Sequence, residues 1–298
     1  MVSVVIAAHN EAAVVGRCLD ALRAQQGAGD LEVVVVANGC SDATVAAATR
    51  PGVKVLDLSE PGKSAALVAG DAVAHGFPRV YLDADIVLPP HALAAALEVL
   101  ADPSVLACAP LRHVVTTRSS LLVRAYMAVS SRLPAYRNSL FGRGMVVLSK
   151  TGRRRFDTFP GVVADDLFLD SLFSADEKRP IPSVDVGVVA PATARSLLRR
   201  LVRVRRGNAD LRATAPGSVP SRGTVAEGPT VRRSDKLSWL TDVVLQRPVL
   251  APAGAVYASF TLLAAVLARV GSRRPPSWGQ DQTSRGPVPA GRAPEATR

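Results

Sequence analysis

The feature that most constrains this chain is a regular exchange of apolar runs and helical segments through its first 100 residues. A polar break follows each run. Val2 to Ala8 is an apolar run with β-branched residues, as expected of a strand buried on both faces. It breaks at His9-Asn10-Glu11, and the helix that follows places Val14, Val15, Cys18, Leu19 and Leu22 on one stripe. Leu31 to Ala37 is a second such strand, ending in Asn38-Gly39-Cys40-Ser41-Asp42. There Asn38-Gly39 is a tight-turn pair, and Ser41 or Asp42 can cap the next helix. Val53 to Leu58 is a third strand, and Glu60-Pro61-Gly62-Lys63-Ser64 leads into a helix through Ala74. Val80, Tyr81 and Leu82 end a fourth strand, which delivers Asp83 and Asp85. This rhythm predicts right-handed βαβ units and a mainly parallel, Rossmann-like α/β sheet flanked by helices.

In such sheets ligands bind beyond the carboxyl ends of the strands. Asn10, Glu11, Asn38, Asp42, Lys63, Asp83 and Asp85 all fall on that edge, a convergence that loop solvation alone does not explain. Asp83 and Asp85 stand two apart, so an extended backbone points both carboxylates to the same side. Two hard oxygen ligands there suit Mg²⁺ or Mn²⁺ that also holds a diphosphate. The alternative is that both are turn and N-cap residues before the helix at Pro90. Farther on, Asp165 and Asp166 fall in the first turn of a helix through Phe173, where the helix dipole favours them whatever their role.

Beyond a helix at 91–100 and a strand near 105–109 the pattern loosens. Residues 119–132 read as helix, Phe141-Gly142-Arg143-Gly144 precedes a short strand at 145–148, and 181–189 is another strand. The net charge of +11 gathers in the second half, at Arg153–Arg155, in the helix or helix-loop 195–212, and at Arg232, Arg233 and Lys236. Such patches meet nucleic acid, anionic lipid or phosphorylated substrates. No zinc-finger spacing, RNP-like motif or repeat accompanies them, so nucleic acid is not expected as a partner. Arg153–Arg155 reads as a solvated or lipid-facing cluster. Cys18, Cys40 and Cys108 lack C-x-x-C pairing and read as reduced structural thiols of a cytoplasmic chain. His9, His75, His91 and His113 share no spacing and read as non-ligands. The N-terminus enters a strand at once, so no secretory signal is expected.

Residues 213–234, rich in Ser, Pro, Gly and Thr, read as a linker. Residues 235–270 form an amphipathic and then an apolar helical segment, uncharged from Pro248 to Ala268 between Arg247 and Arg269. That length just spans a bilayer; a buried or interfacial helix is the alternative. The flanking arginines would suit the cytoplasmic membrane face, peripheral or single-pass. Residues 271–298 have the composition of a disordered tail.

A metal-binding acidic pair, a nucleotide-sized edge and a second acidic pair together suit transfer from a nucleoside-diphosphate donor. The cation neutralises the leaving diphosphate, a carboxylate deprotonates the acceptor hydroxyl, and basic groups hold the diphosphate. At this point the chain resembles the family 2 glycosyltransferases, inverting enzymes of the GT-A fold. The resemblance rests on Val2–Glu11, Asn38–Asp42, Gly62–Leu67, the D-x-D stretch Asp83-Ala84-Asp85, and Ala164-Asp165-Asp166, in family order over roughly the first 210 residues.

The resemblance implies a glycosyltransferase domain over 1–212, with a nucleotide half at 1–110 and an acceptor half at 111–212. Ala8, Asn10 and Glu11 would line the nucleotide pocket, Asn38 and Asp42 the base, and Lys63 the base or phosphate. Asp83 would contact the ribose or the metal's water shell, and Asp85 the metal. Asp166 would be the catalytic base, with Asp165 beside the acceptor where the family usually has Glu. Arg203 and Arg206, on a segment that closes over the donor, would meet the diphosphate. The donor is expected to be a UDP-sugar carrying a hexose. The acceptor would be a glycan, lipid-linked or small-molecule hydroxyl, as in the building of cell-envelope glycans.

Ala37 stands where the family often has an Asp against the base, and Val68 where an Asn is common. No Gln-x-x-Arg-Trp follows Asp166, which argues for one sugar per event. Two competing readings remain. A sugar-phosphate nucleotidyltransferase expects a Gly-rich, Arg-containing loop where His9-Asn10-Glu11 stands. A non-catalytic nucleotide-sugar-binding protein at the membrane would not need the complete acidic set.

Overall fold

A computed structural model describes residues 1–136, 138–161, 164–214 and 237–270. One seven-stranded sheet runs through them, in the order β3-β2-β1-β4-β6-β5-β7. β1 (Val2–Ala8), β2 (Leu31–Asn38), β3 (Val53–Leu58) and β4 (Arg79–Asp83) are parallel, as the alternation predicts. Every residue of β1 is buried. Its pleat divides them between two layers: Val2, Val4, Ile6 and Ala8 face one core, while Val5 and Ala7 face the other. The first core is closed by α1 (Val15–Arg23), α2 (Thr44–Ala48) and α4 (Ala92–Val99). The second is closed by α3 (Lys63–Val73) and α7 (Asp165–Ser171). Winding therefore reverses between β1 and β4, which opens a crevice at their carboxyl ends.

The second half departs from the parallel pattern. β6 (Met145–Leu148) inserts antiparallel between β4 and β5 (Ala107–Val115), and β5 pairs in parallel with β7 (Lys178–Val189). A buried ion-pair network and a half-buried pair hold this half in place. Asp71 of α3 accepts from Arg79 and Tyr81 of β4 and from Arg153 of the short α6 (Lys150–Arg153). Arg153 also covers the Phe156 ring at 4.2 Å, and Arg155 pairs with Glu177. The solvated cluster expected at Arg153–Arg155 is thus corrected: Arg154 is exposed, but its neighbours fasten the strand ends.

α5 (Leu121–Ser130), α8 (Ala194–Thr214) and α9 (Ala251–Val270) pack together through Val123, Tyr126, Leu197, Tyr257 and Phe260. The basic stretch is one continuous helix, α8. The apolar segment is helical as well, but only 11% of an 18-residue apolar stretch within Pro248–Val270 is buried. Leu262 and Val270 are 68% and 77% exposed, so α9 is not a buried core helix. Residues 215–236, most of the expected linker, and the expected tail at 271–298 lie outside the described residues.

Candidate active site

The parallel strands end side by side at Ala8, Asn38, Leu58 and Asp83. On the β1–β2 side, loops 9–12 and 38–44 are laced together. Asn38 is fully buried; its amide donates to Ala8 O at 2.8 Å, and its Oδ1 accepts from Gly62 N at 3.0 Å. His9 Nδ1 lies 2.7 Å from Asn38 O. Asn10 takes the left-handed conformation (φ 53°), which its short polar side chain tolerates, and Oδ1 accepts from Ser41 N at 2.8 Å. Asp42 accepts from Ala12 N at 3.1 Å and from both Thr44 N and the Thr44 hydroxyl. Partial burial works against its charge, but these bonds hold Asp42 below the usual aspartate range. Thr44 in turn receives Glu11 N at 2.7 Å. Ala8 and Glu11 are buried beneath this wall, while Asn10 and Asp42 reach its surface.

The floor is an acidic cluster with one cation inside it. Lys63, at the start of α3, places Nζ 2.9 Å from Asp83 Oδ1 and 3.0 Å from Asp165 Oδ2. It thereby joins the end of β4 to the first turn of α7. Burial opposes the charge on Lys63, yet Asp165, then Asp83 and Asp166, hold the ammonium well above the ordinary lysine range. Asp165 is 8% exposed. Burial is the largest cause that pushes its carboxyl up to about 6, against the pull of Lys63 and with repulsion from Asp166 and Asp83. Asp166 is half-buried; its Oδ2 accepts from Gly142 N at 2.7 Å and its Oδ1 from Leu167 N at 2.8 Å. Asp85 is exposed beyond the strand end.

The sequence explains why these groups meet. β6 runs antiparallel beside β4, so the turn before it, Phe141–Gly144, lies at the carboxyl edge of β4. Asp83 N donates to Gly144 O at 2.8 Å. Gly144 has φ 72°, and a Cβ there would stand 2.4 Å from Ile86, so this contact requires glycine. The far end of α7 is pinned by Asp170, whose Oδ1 accepts from Lys178 Nζ and Leu140 N, both at 2.8 Å. Phe168 packs edge-on against Phe156 at 5.3 Å.

Asp83, Lys63, Asp165 and Asp166 thus form one cluster, with Asp85 two residues from Asp83. Asn10, Glu11, Asn38 and Asp42 form the adjoining wall. Arg203 and Arg206 lie on α8; Arg206 Nη2 donates to Leu267 O of α9 at 3.3 Å, which fastens it to that helix. Sequence reasoning gave no role to Gly142, which orients Asp166, nor to the Asp170–Lys178 pair. The two glycines around Arg143 were the available signal for the first; nothing local announces the second.

Two carboxylates at a strand end do not make a closed metal cage. Among the described residues no group of three or more His, Cys, Asp or Glu is placed to hold an ion. Exposed Asp85 and half-exposed Asp83 instead fit a hard cation whose remaining oxygens come from a diphosphate and water.

Solved structures share this architecture. One is the mannosyltransferase PcManGT from Pyrobaculum calidifontis, in complex with GDP-Man and Mn²⁺. It is 22% identical, with a TM-score of 0.56 over 91% of this chain and 76% of that one. Another is glucosyl-3-phosphoglycerate synthase from Mycobacterium tuberculosis, in complex with Mn²⁺, UDP and glucosyl-3-phosphoglycerate. It is 22% identical, with a TM-score of 0.52 over 72% of this chain and 79% of that one. At such identities the likeness is one of fold. No curated protein sequence matches the chain. The model of Glycosyl transferase family 2 matches residues 3–152, from the first strand through the Lys63 and Asp83 positions and just short of Asp165. With half its length under that model and its sheet of GT-A type, the chain belongs to glycosyl transferase family 2.

Proposed function

We propose that this glycosyltransferase moves one hexose, with inversion, from a nucleoside-diphosphate sugar to an acceptor hydroxyl. The observation that carries the reading is the Lys63 bridge between Asp83 and Asp165. It gathers the strand-end acids and the α7 acids into one site beside the β1–β2 wall. Asp85, with Asp83, would hold the divalent cation, Mg²⁺ or Mn²⁺, and the wall at Asn10, Glu11 and Asp42 would hold the nucleoside. The cation, when bound, supplies charge neutralisation to the departing diphosphate.

Asp166 takes the acceptor proton. The acceptor oxygen then bonds to the anomeric carbon as the bond from that carbon to the diphosphate oxygen breaks, and the electron pair leaves with the nucleoside diphosphate. Gly142 N holds Asp166 Oδ2, which leaves the carboxylate oriented by the backbone while it works. Asp165 and Lys63 hold the acceptor side against the donor side. UDP is the preferred base carrier in this reading; the two similar structures carry GDP-Man and UDP. The exposed apolar face of α9, flanked by Arg247 and Arg269, supports attachment at the cytoplasmic membrane face.

The test is calorimetric titration of UDP, GDP, TDP and CDP with Mn²⁺ and with chelator, on wild type, Asp85→Ala and Asp166→Asn. One diphosphate is expected to bind with Mn²⁺, to weaken at least tenfold with chelator or in Asp85→Ala, and to bind Asp166→Asn like wild type. Asp166→Asn should then lose about 10²–10⁴ in transfer rate. A folded protein that binds no nucleotide overturns the donor reading, and full turnover by Asp166→Asn removes the base.

A further inference from the structure

A second concavity, about 560 Å³ in volume, lies on the acceptor half. Its walls come from β5, the end of α5, the 134–136 turn, β7 and the 242–247 segment that leads into α9. Four arginines line it, Arg112, Arg132, Arg143 and Arg247, against two aspartates, Asp185 and Asp242. Asp185 is already paired with His113 at 3.0 Å.

Two of the arginines are built in rather than draped over the surface. Arg143 is 3% exposed and donates to the carbonyls of Pro110 and Tyr136. Arg112 stacks 3.8 Å over the Tyr136 ring, and its Nη1 donates to Gly142 O at 2.9 Å. Bonds to carbonyl oxygens orient a guanidinium without cancelling its charge. Burial, then the nearby Arg112, draw Arg143 below the ordinary arginine range, with Asp170 opposing. The opposite charge of an anion in the cavity would offset both the cost of burial and the repulsion.

The cavity is also joined to the catalytic carboxylate through one residue. Gly142 gives its carbonyl to Arg112 and its N–H to Asp166. From this juxtaposition we infer that the cavity is the acceptor subsite for a phosphate-bearing acceptor, the arginines holding the phosphate while the hydroxyl reaches Asp166. The inference rests on the glycosyltransferase reading above. The phosphate has two sources, a free phosphorylated polyol or a lipid headgroup at the membrane beside α9. The planar forks of arginine match phosphate oxygens two at a time.

The full chain is titrated with glycerol, glycerol 3-phosphate and vesicles of phosphatidylglycerol or phosphatidylcholine, each with saturating UDP and Mn²⁺. Arg132→Gln/Arg247→Gln changes two exposed rim arginines, and Arg112→Gln probes the inner wall. Arg199→Gln removes one charge from α8, outside the cavity. Wild type should bind glycerol 3-phosphate at least tenfold tighter than glycerol, or the net-anionic phosphodiester of phosphatidylglycerol at least tenfold tighter than phosphatidylcholine, whose phosphate is offset by its own choline. Both cavity variants should lose that advantage, and Arg199→Gln should keep it. Recognition of glycerol 3-phosphate assigns a free phosphate; recognition confined to phosphatidylglycerol assigns a headgroup. No preference within either pair, or a preference that survives both cavity variants, overturns the inference. UDP binding is read in the same samples. Its absence alongside arginine-dependent phosphate binding would sink the donor reading and leave the anion site standing.

Discussion

Lys63 sets how Asp165 titrates. It is the one cation bonded to both Asp83 and Asp165 among the described residues, and it holds Asp165 in its ionised form against burial. The Asp165 carboxyl is raised from 3.8 to about 6. The folded chain therefore binds this proton more tightly than the unfolded chain, and stability falls as pH rises from about 4 to about 6. Activity should run the other way. The transfer rate is expected to lose tenfold per unit below about pH 6, as protonation of Asp165 breaks the bridge, and to be level above about 7. Lys63→Met has no bridge for that protonation to break, so its rate should be low throughout and the limb should disappear. A pH–rate profile of wild type and Lys63→Met checks both; a limb that stays put would show that another group controls the rate. At this scale the sequence was legible in part. Asp83, Asp165 and Asp166 follow from their motifs, but a lysine shared between residues 20 and 102 positions away leaves no local mark.

Among the elements, α7 carries the most chemistry on the least length, seven residues with an acid at each end. Its propensity cannot hold so short a helix; tertiary bonds do. Asp165 is tied to Lys63, Asp166 to Gly142, and Asp170 to Lys178 and Leu140. Asp170→Ala would leave Lys178, 7% exposed, as an uncompensated buried charge. A loss of about 3–5 kcal/mol in denaturant unfolding is expected. Lys178→Met leaves Asp170, 3% exposed, as the uncompensated charge and should cost about as much, whereas Asp170→Asn/Lys178→Met, which removes both charges, should lose less. A double variant no more stable than either single one would contradict this account. The four parallel strands and their helices were legible because each buries both faces and so reads as an unbroken apolar run. β6 was legible as a strand but not in its direction, since four apolar residues carry no information about which neighbour they join. Arg153 misled for a related reason. A triple-arginine run resembles a solvated patch, and its partner Asp71 is 82 residues away.

For the whole molecule, much of the exposed apolar surface among the described residues lies on α5 and α9. Leu121 and Leu122 of α5, and Leu262, Leu263, Val266 and Leu267 of α9, are all exposed, on helices packed against each other. Flotation with anionic vesicles should carry the full chain to the lipid layer. Leu262→Asp/Val266→Asp should cut the bound fraction at least fivefold without changing UDP affinity. A chain that stays in the aqueous fraction, or a variant that floats like wild type, would remove the membrane attachment. The segment was legible by length, whereas its exposure required the packing of α5 and α8 to be known. The arginine-lined cavity was not legible at all, because its walls come from five separated stretches of chain.

The antiparallel insertion of β6 has a consequence for recombination. In the proposed reading, donor-side and acceptor-side residues occupy successive parts of the gene, which invites exchange of one half between relatives to change the acceptor. Yet β6, from the second half, pairs with β4 of the first from Arg79↔Leu148 to Leu82↔Met145, and Gly144 meets Asp83 at its end. A crossover anywhere between residues 83 and 145 divides a single hydrogen-bonded seam between two parents. Chimeras that keep β6 and the Gly142–Gly144 turn with the β4 parent should fold, and the exchangeable cassette is confined to what hangs outside that seam.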